Sequence, residues 1–256
     1  MNYSHIISDM TWSYSRITCF EQCRYKFLLK YIYEQQEDRM FFASYGSFIH
    51  KIMEMYLSGE LKRDDLLGYY LANFKSNVGG KPPSQKVFKS YFEQGVEYLK
   101  NMNFPYSTDL DVESEVEFLI GENKFIGYID CRCTDGDDLI ILDHKSRNLK
   151  PRSTKGKVLK TDLELDDYLR QLYIYSIPTF EKYGRYPSTL AFNCFRENLV
   201  IKEPFKEENL EKTKRWATDK IEMITHNEDW SPCLDYFGCR HLCGLHDQCE
   251  YFQLNK

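Results

Sequence analysis

The chain lacks any uninterrupted apolar run of about 20 residues, the length that a membrane-spanning helix needs. Its first residues, MNYSHIISDMTW, contain no basic region followed by an apolar core, which is the pattern of a secretory signal. Internal repeats and low-complexity segments are also missing. We therefore expect a cytoplasmic protein without membrane contact, in a bacterial cell or, if the source is a virus, in the host cytoplasm.

The chain also has no excess of positive charge. Its 34 Lys and Arg residues are outnumbered by 39 Asp and Glu residues, which gives a net charge of −5. A histone-like polycation is excluded, so any contact with nucleic acid must use a local basic patch. Carboxylates that bind metal would themselves contribute to the negative charge.

A complete disulfide framework is excluded because the nine cysteines are an odd number and a reducing cytoplasm disfavours disulfides. Four of them, Cys233, Cys239, Cys243 and Cys249, cluster near the C-terminus. Such clustering indicates a metal centre, and two alternatives are open. The four tail cysteines can hold zinc, or Cys23 and three of them can hold a [4Fe–4S] cluster.

The spacing of apolar residues changes along the chain from a helical to a strand period. Helices are predicted over 13–32, 44–58, 63–78 and 84–102, and strands over 111–120, 125–134 and 139–146. A helix over 164–183, a strand over 188–196 and a helix over 206–226 follow. This order predicts an α/β fold with a mixed central sheet. We expect one domain over 1–256, with a helical region at 1–105, a core at 106–226 and a Cys-rich tail at 227–256.

Two of the strands carry side chains suited to a metal-dependent phosphodiesterase. Asp143 and Lys145 are two residues apart, so they share a face of their strand. On the preceding strand, alternation predicts that Asp130 points to one face and that Ile129 and Cys131 point to the other. Carboxylate oxygens suit Mg²⁺ or Mn²⁺, and a lysine can stabilise charge on a phosphate in the transition state. Three further acids on the strand 111–120 are expected to be solvated: Glu113, Glu115 and Glu117.

A basic loop follows the strand of Asp143. Its Arg152, Lys155 and Lys157 are spaced so that they can follow a phosphate backbone, and Arg170 on the next helix is a further candidate. A solvated loop is an equally good interpretation. No segment that reads bases is evident, so we expect little sequence specificity.

Four short segments occur in a fixed order: SYGSFIH (44–50), GYID (127–130), LDHKS (142–146) and QLYIY (171–175). This order resembles the RecB-type branch of the PD-(D/E)xK nuclease superfamily, and the resemblance spans most of the chain. It implies a restriction-endonuclease-like core. It also implies that a divalent metal is bound by His50, Asp130, Asp143 and the backbone carbonyl of His144. The catalytic positions that it implies are Asp130, Asp143, Lys145, Gln171 and Tyr175.

The resemblance extends to the cysteines. Iron–sulfur members of the branch, including the AddB nuclease domain and the CRISPR-adaptation nucleases, have one cysteine in a segment like SYSRITCFEQCRYKF and three near the C-terminus. This implies a [4Fe–4S] cluster that joins the tail to the N-terminal region, held by Cys23, Cys239, Cys243 and Cys249. The usual tail spacing is C-x2-C-x5-C, whereas Cys239 and Cys243 are separated by three residues. Cys233 is therefore the alternative to Cys239, and zinc is the alternative to iron.

The function implied is a Mg²⁺- or Mn²⁺-dependent deoxyribonuclease, an exonuclease acting on single-stranded DNA or on free ends, in DNA repair or recombination. A different class of function is a DNA-binding or end-processing adaptor that works with a helicase, integrase or recombination partner. A third is a zinc-stabilised structural protein with a vestigial site. The intact set of acids and lysine argues against this third class.

Overall fold

The structure is a computed structural model that describes residues 2–102, 104, 111–154 and 156–253. Helices dominate the first 101 residues. They are α1 (Ser4–Ile7), α2 (Tyr14–Gln22), α3 (Arg24–Phe27) with a π-helical turn at Leu28–Ile32, α4 (Phe41–Leu57), α5 (Leu66–Asn77) after a 3₁₀ turn at Arg63–Asp65, and α6 (Gln85–Asn101). The later elements are β1 (Asp111–Ile120), β2 (Asn123–Asp135), β3 (Asp138–Lys145), α7 (Lys160–Tyr183), β4 (Thr189–Cys194), β5 (Leu199–Pro204), α8 (Glu207–Thr225), α9 (Tyr236–His241) and α10 (Glu250–Gln253).

The five strands form one mixed sheet in the order β1-β2-β3-β4-β5. The β1–β2, β2–β3 and β4–β5 pairs are antiparallel, and β3 and β4 are parallel. A parallel pair needs a long crossover connection, and α7 provides it between β3 and β4. The predicted mixed α/β fold is confirmed.

Alternate residues of β3 and β4 face two different layers. Ile141 and Phe192 pack in a core that includes residues of α2, α7 and α8. Ile140 and Ala191 pack on the other side of the sheet, where Leu57 at the end of α4 contacts them. A third cluster fills the space between α4, α5 and α6. The sheet therefore lies between two helical layers, and α4 belongs to the layer opposite α7.

The N-terminal helix is shorter than the predicted span 13–32. Ser13 caps α2 as expected, because its side chain accepts a hydrogen bond from the Arg16 N–H. The helix then breaks at Cys23, which is extended at φ −162° and ψ 110°, and the Cys23 side chain accepts from the Lys26 N–H at the start of α3. This break turns the Cys23 sulfur out of the helix.

Two other elements differ from the sequence prediction. Strand β5 was not predicted, since only Ile201 among its residues is fully buried and an edge strand of this kind carries a weak periodic signal. Helix α7 begins at Lys160 rather than at 164, because the Asp162 carboxylate accepts hydrogen bonds from the N–H groups of Leu159 and Ser153. In the described part of the chain, no helix is both long enough and apolar enough to cross a membrane.

Candidate active site

The strand register brings the two predicted aspartates side by side. Cys131 of β2 pairs with Leu142 of β3, so one step further along both strands Asp130 lies beside Asp143. The Asp143 side chain is almost fully buried. The two carboxylates therefore occupy one end of the sheet, near the last residue of β3.

Helix α4 passes this end of the sheet and adds His50. The closest approach is at Gly46, where a Cβ atom would lie only 3.1 Å from Ser146 Oγ. The small residue lets the helix run against the end of β3, and His50 follows one turn later on the same face. His50 Nδ1 lies 3.3 Å from Asp130 Oδ2.

Asp130 is fixed by a second contact from the sheet. The backbone N–H of His144 donates to Asp130 Oδ2 over 2.7 Å. One carboxylate oxygen is therefore held between α4 and β3, an arrangement that limits the rotation of the side chain. A carboxylate with a fixed orientation is suited to bind a cation without paying further conformational entropy.

Glu113 of β1 completes a group of three possible metal ligands. One ligand atom each from His50, Glu113 and Asp130 all lie within 4.8 Å of one another. The expectation that Glu113 is solvated is therefore wrong. Its backbone has a φ of +47°, which is uncommon for a residue other than glycine and is found most often at functional sites.

The hairpin register contains the signal for Glu113 that a reading of single residues missed. Ile120 pairs with Asn123 across a two-residue turn, and counting back from this pair places Glu113 opposite Asp130. The predicted alternation along β2 also fails at this point. Ile129 packs in the core that contains α7, whereas Cys131 packs in the cluster on the opposite face of the sheet.

Burial and the closeness of several carboxylates oppose ionisation of the acidic side chains at this site. Burial, followed by the charges of Asp130, Glu54 and Asp143, raises the pKa of Glu113 to about 7. Burial and then the Asp143 charge raise the pKa of Asp130 to about 6, against the opposing effects of His50 and the His144 N–H. Like charges at short range oppose ionisation unless a cation intervenes. The donor set of one imidazole and two carboxylates fits a divalent metal such as Mn²⁺ or Mg²⁺.

A chain of polar contacts leads away from the second aspartate. Lys145 Nζ lies 2.7 Å from Asp143 Oδ2 and donates to Gln171 Oε1 over 2.9 Å. Gln171 Nε2 in turn donates to the Tyr175 hydroxyl over 3.3 Å. Gln171 and Tyr175 are one turn apart on α7, as predicted from their spacing. This series of polar contacts fixes the Lys145 ammonium group beside the acidic site.

The Tyr175 ring lies directly on strand β2. A Cβ atom at Gly127 would lie 2.5 Å from a ring carbon of Tyr175, so only glycine leaves room for the ring. Burial raises the pKa of Tyr175 to about 12, so its hydroxyl stays protonated. These contacts explain why the Gly-x-x-Asp and Gln-x-x-x-Tyr segments occur together, because Gly127 leaves the space that the Tyr175 ring occupies.

The His144 side chain points into the protein. Its ring is buried, and its Nδ1 lies 2.9 Å from Asn193 Nδ2, which also donates to the Tyr98 hydroxyl over 2.7 Å. Burial, with the nearby His50 and Lys145, lowers the pKa of His144 well below its ordinary value. The neutral ring holds the backbone of β3 in place, and the predicted role of the His144 carbonyl as a metal ligand stays a prediction.

Comparison with known proteins identifies the family. A family model described as the PD-(D/E)XK nuclease superfamily matches residues 11–250. The chain belongs to this superfamily. No curated protein matches it. The crystal structure of a "putative exonuclease" from Eubacterium rectale is similar over 99% of this chain and 91% of that chain, with a TM-score of 0.51 and 14% identity. It shows that the fold is shared.

A second crystal structure, that of SSO0001, aligns over 80% of this chain and 97% of that chain at 18% identity. Its TM-score is 0.29. Membership of the superfamily makes the protein a hydrolytic nuclease, and the group of His50, Glu113 and Asp130 is a possible acidic metal site within it.

The predicted DNA-binding residues of this superfamily member lie in different settings. Arg152 is paired with Asp166 at 2.7 Å and with Glu203 at 3.0 Å. Arg170 is paired with Asp167 at 2.8 Å and lies over the ring of Trp216. Lys157 is exposed. Lys155 falls outside the described residues. None of these observations tests contact with DNA, so these assignments stay predictions.

The five candidate cluster ligands of the nuclease lie together, and their role as ligands stays a prediction. Cys23 and the tail residues Cys233, Cys239, Cys243 and Cys249 all line one narrow cavity. The Cys233 N–H donates to Cys23 Sγ over 3.4 Å, and Cys239 Sγ donates to the Cys233 carbonyl over 3.4 Å. The tail is thereby held against the N-terminal helices. Burial and then the neighbouring cysteines raise the pKa of Cys239 to about 11.

Proposed function

We propose that this protein is a Mg²⁺- or Mn²⁺-dependent deoxyribonuclease, an exonuclease that acts on DNA ends or single strands with little sequence specificity. One observation carries the proposal. A metal-ligand group of His50, Glu113 and Asp130 lies next to a second acid and a lysine, Asp143 and Lys145, in a fold of the PD-(D/E)XK superfamily.

The residues divide between metal binding and charge stabilisation. His50, Asp130 and Asp143, with the His144 carbonyl, are the ligands expected for the divalent metal, and Glu113 is added to them here. The bound ion supplies a water of lowered pKa and neutralises charge on the phosphate. Lys145, held by Gln171, is placed to orient that water or to stabilise the negative charge that develops on phosphorus oxygens. Tyr175 supports Gln171.

Hydrolysis at such a site adds water across the phosphodiester bond. The attacking oxygen bonds to phosphorus, the bond to the leaving sugar oxygen breaks, and that oxygen takes up a proton. Weak sequence dependence would follow if the basic side chains proposed here contact phosphates rather than base edges. Lys157 and Arg170 are the candidates for such contacts, and Arg152 must exchange its carboxylate partners to join them.

We further propose that Cys23, Cys239, Cys243 and Cys249 hold a [4Fe–4S] cluster. The proposal is supported by the resemblance to the iron–sulfur branch and by the single cavity that Cys23 and the tail cysteines line. A zinc ion held by the same cysteines is the alternative.

Cys239 is a better fourth ligand than Cys233. Cys233 is exposed, and its backbone N–H and carbonyl form hydrogen bonds with Cys23 and Cys239. An N–H that donates to a ligand sulfur is a common feature of iron–sulfur sites. The cluster would stabilise the tail, which contributes few residues to the hydrophobic core.

Purification without oxygen, followed by metal-dependent cleavage assays, tests the function. End-labelled single-stranded and duplex DNA is incubated with Mg²⁺ or Mn²⁺ and either wild-type protein, Asp143→Asn or Lys145→Ala. We expect metal-dependent shortening by the wild type and a loss of at least a hundredfold in both variants. Asp138→Asn, on the same strand but exposed, is the control and should cut normally. Full activity of Asp143→Asn would refute the proposal.

A further inference from the structure

The Cys-rich tail leaves aromatic side chains exposed beside the proposed active site. On helix α9, Tyr236 is 59% exposed and Phe237 is 50% exposed. Adjacent exposed aromatic rings form a contiguous apolar patch, and covering such a patch is favourable. A ligand that covers them would explain their position.

The rings continue directly from the active-site groove. Phe42 lines the groove together with His50 and Glu113. The Phe42 and Phe237 ring centroids are 6.3 Å apart, and those of Phe237 and His241 are 5.0 Å apart. A row of three rings therefore leads from the metal-ligand group onto the tail.

Basic side chains lie along the same row. A cleft beside α9 is lined by Arg39, Lys81 and Arg240 together with the rings of Tyr236 and His241. Arg240 also donates to the Tyr236 hydroxyl over 2.5 Å, and its guanidinium lies 5.7 Å from the centre of that ring. Two acids, Asp38 and Asp247, line this cleft as well. The basic side chains outnumber them, which favours a ligand that combines flat rings with negative charge.

We propose that Phe42, Tyr236, Phe237 and His241 form a stacking platform for single-stranded DNA that leads the strand to the metal site. This inference rests on the proposed nuclease function and specifies its substrate. Aromatic rings interleaved with cations bind single strands because every base has a face to stack on. The bases of duplex DNA already stack on one another and cannot lie flat on side chains, so the platform selects single strands.

The platform is held in place by the ends of the chain. The Asp38 N–H donates to the Gly244 carbonyl over 2.7 Å, which joins the segment before α4 to the tail. Cys23 and the tail cysteines surround the cavity next to α9. The part of the tail that carries Phe237 is therefore anchored both to the cysteine centre and to the helix that carries His50.

Variants at Phe237 separate stacking from general apolar contact. Binding of fluorescein-labelled oligo(dT) and of a blunt hairpin duplex is measured by anisotropy, with Ca²⁺ in place of Mg²⁺ so that the DNA remains intact. We expect Phe237→Leu to bind the single strand about tenfold more weakly and Phe237→Trp to bind it within about twofold of the wild type. Duplex binding should not change. Tyr236→Leu is a second variant and should weaken single-strand binding in the same direction.

Phe180→Ala, an exposed aromatic position on α7, is the matched control and should bind as the wild type does. The visible and circular dichroism spectra of each variant establish that the tail is intact. Wild-type binding by Phe237→Leu, or equal losses in the Leu and Trp variants, would overturn the platform while leaving the nuclease proposal standing. Equal loss on duplex DNA would overturn it too. A wild-type protein that binds and cuts no DNA would overturn both proposals and would point to a protein partner on α9.

Discussion

At the scale of single residues, Glu113 is the candidate metal ligand that the sequence analysis did not predict. It adds a third ligand to His50 and Asp130, all within 4.8 Å. We predict that Glu113→Gln lowers Mn²⁺ affinity at least tenfold and reduces DNA cleavage, because an amide oxygen binds a divalent cation more weakly than a carboxylate. Isothermal titration with Mn²⁺ measures the change. Glu117→Gln, on the same strand but exposed, is the control, and equal affinities of the two variants would contradict the prediction.

The acidity of this site also makes metal binding depend on pH. The pKa of Glu113 is raised to about 7 and that of Asp130 to about 6, above their ordinary values near 4. The folded protein without metal therefore keeps protons that the unfolded chain releases. The stability that these protons confer is present below about pH 4 and is lost as pH rises through 6 to 7.

A bound cation should reverse this trend, because it favours the ionised carboxylates. We predict that Mn²⁺ raises the melting temperature more at pH 8 than at pH 5.5, and that the difference shrinks in Glu113→Gln. Thermal unfolding at both pH values, with and without Mn²⁺, measures it. A metal effect that is the same at both pH values would show that neither carboxyl group titrates in this range.

At the scale of elements, the packing of α7 on β2 depends on one glycine. A Cβ atom at Gly127 would lie 2.5 Å from the Tyr175 ring, a distance that forces the ring or the strand to move. We predict that Gly127→Ala lowers the free energy of unfolding by about 1–3 kcal/mol and also reduces cleavage, since Tyr175 supports Gln171 and Lys145. Denaturant unfolding measures the first effect.

Gly68→Ala is the matched control for this substitution. Gly68 is exposed on α5, and no atom lies within 4 Å of the position of its Cβ. Alanine there should stabilise the helix by about 0.5–1 kcal/mol. If both substitutions change stability in the same direction, the clash with Tyr175 is not the cause of the effect at Gly127.

The elements that the sequence predicted are those whose signal is local. Apolar alternation in β1, the return strand after its turn, the continuous apolar run of β3 and the helical pattern of α7 were sufficient to predict these elements and their order. The break at Cys23 was not predicted, because cysteine is not among the usual N-cap residues, although here its sulfur accepts a hydrogen bond from the Lys26 N–H at the start of α3. Strand β5 was missed because its burial depends on pairing with β4. The position of Glu113 beside Asp130 can be predicted from the sequence only if the hairpin register is counted from the turn, since the alternation within one strand is not sufficient.

At the scale of the whole molecule, the proposed cysteine centre would join the N-terminal helices to the Cys-rich tail. Cys23 lies near the N-terminus, and its partners lie more than 200 residues later, yet all five cysteines line one cavity. Linking such distant segments removes many conformations from the unfolded chain. A cluster held by these cysteines would therefore stabilise the tail and the segment that leads into α4 together, and α4 carries His50.

Serine substitutions at three cysteines test both the proposed centre and the choice of ligands. We predict that Cys23→Ser loses bound iron and that its tail becomes sensitive to limited proteolysis, because hydroxyl is a much poorer ligand for iron than thiolate. Cys233→Ser should keep iron, since Cys233 is exposed and serine keeps the backbone groups that hydrogen-bond to Cys23 and Cys239. Iron and sulfide analysis with the visible spectrum measures both. Loss of iron in Cys233→Ser together with its retention in Cys239→Ser would exchange these two ligands, and full zinc occupancy with no iron in the wild type would replace the cluster by a zinc site.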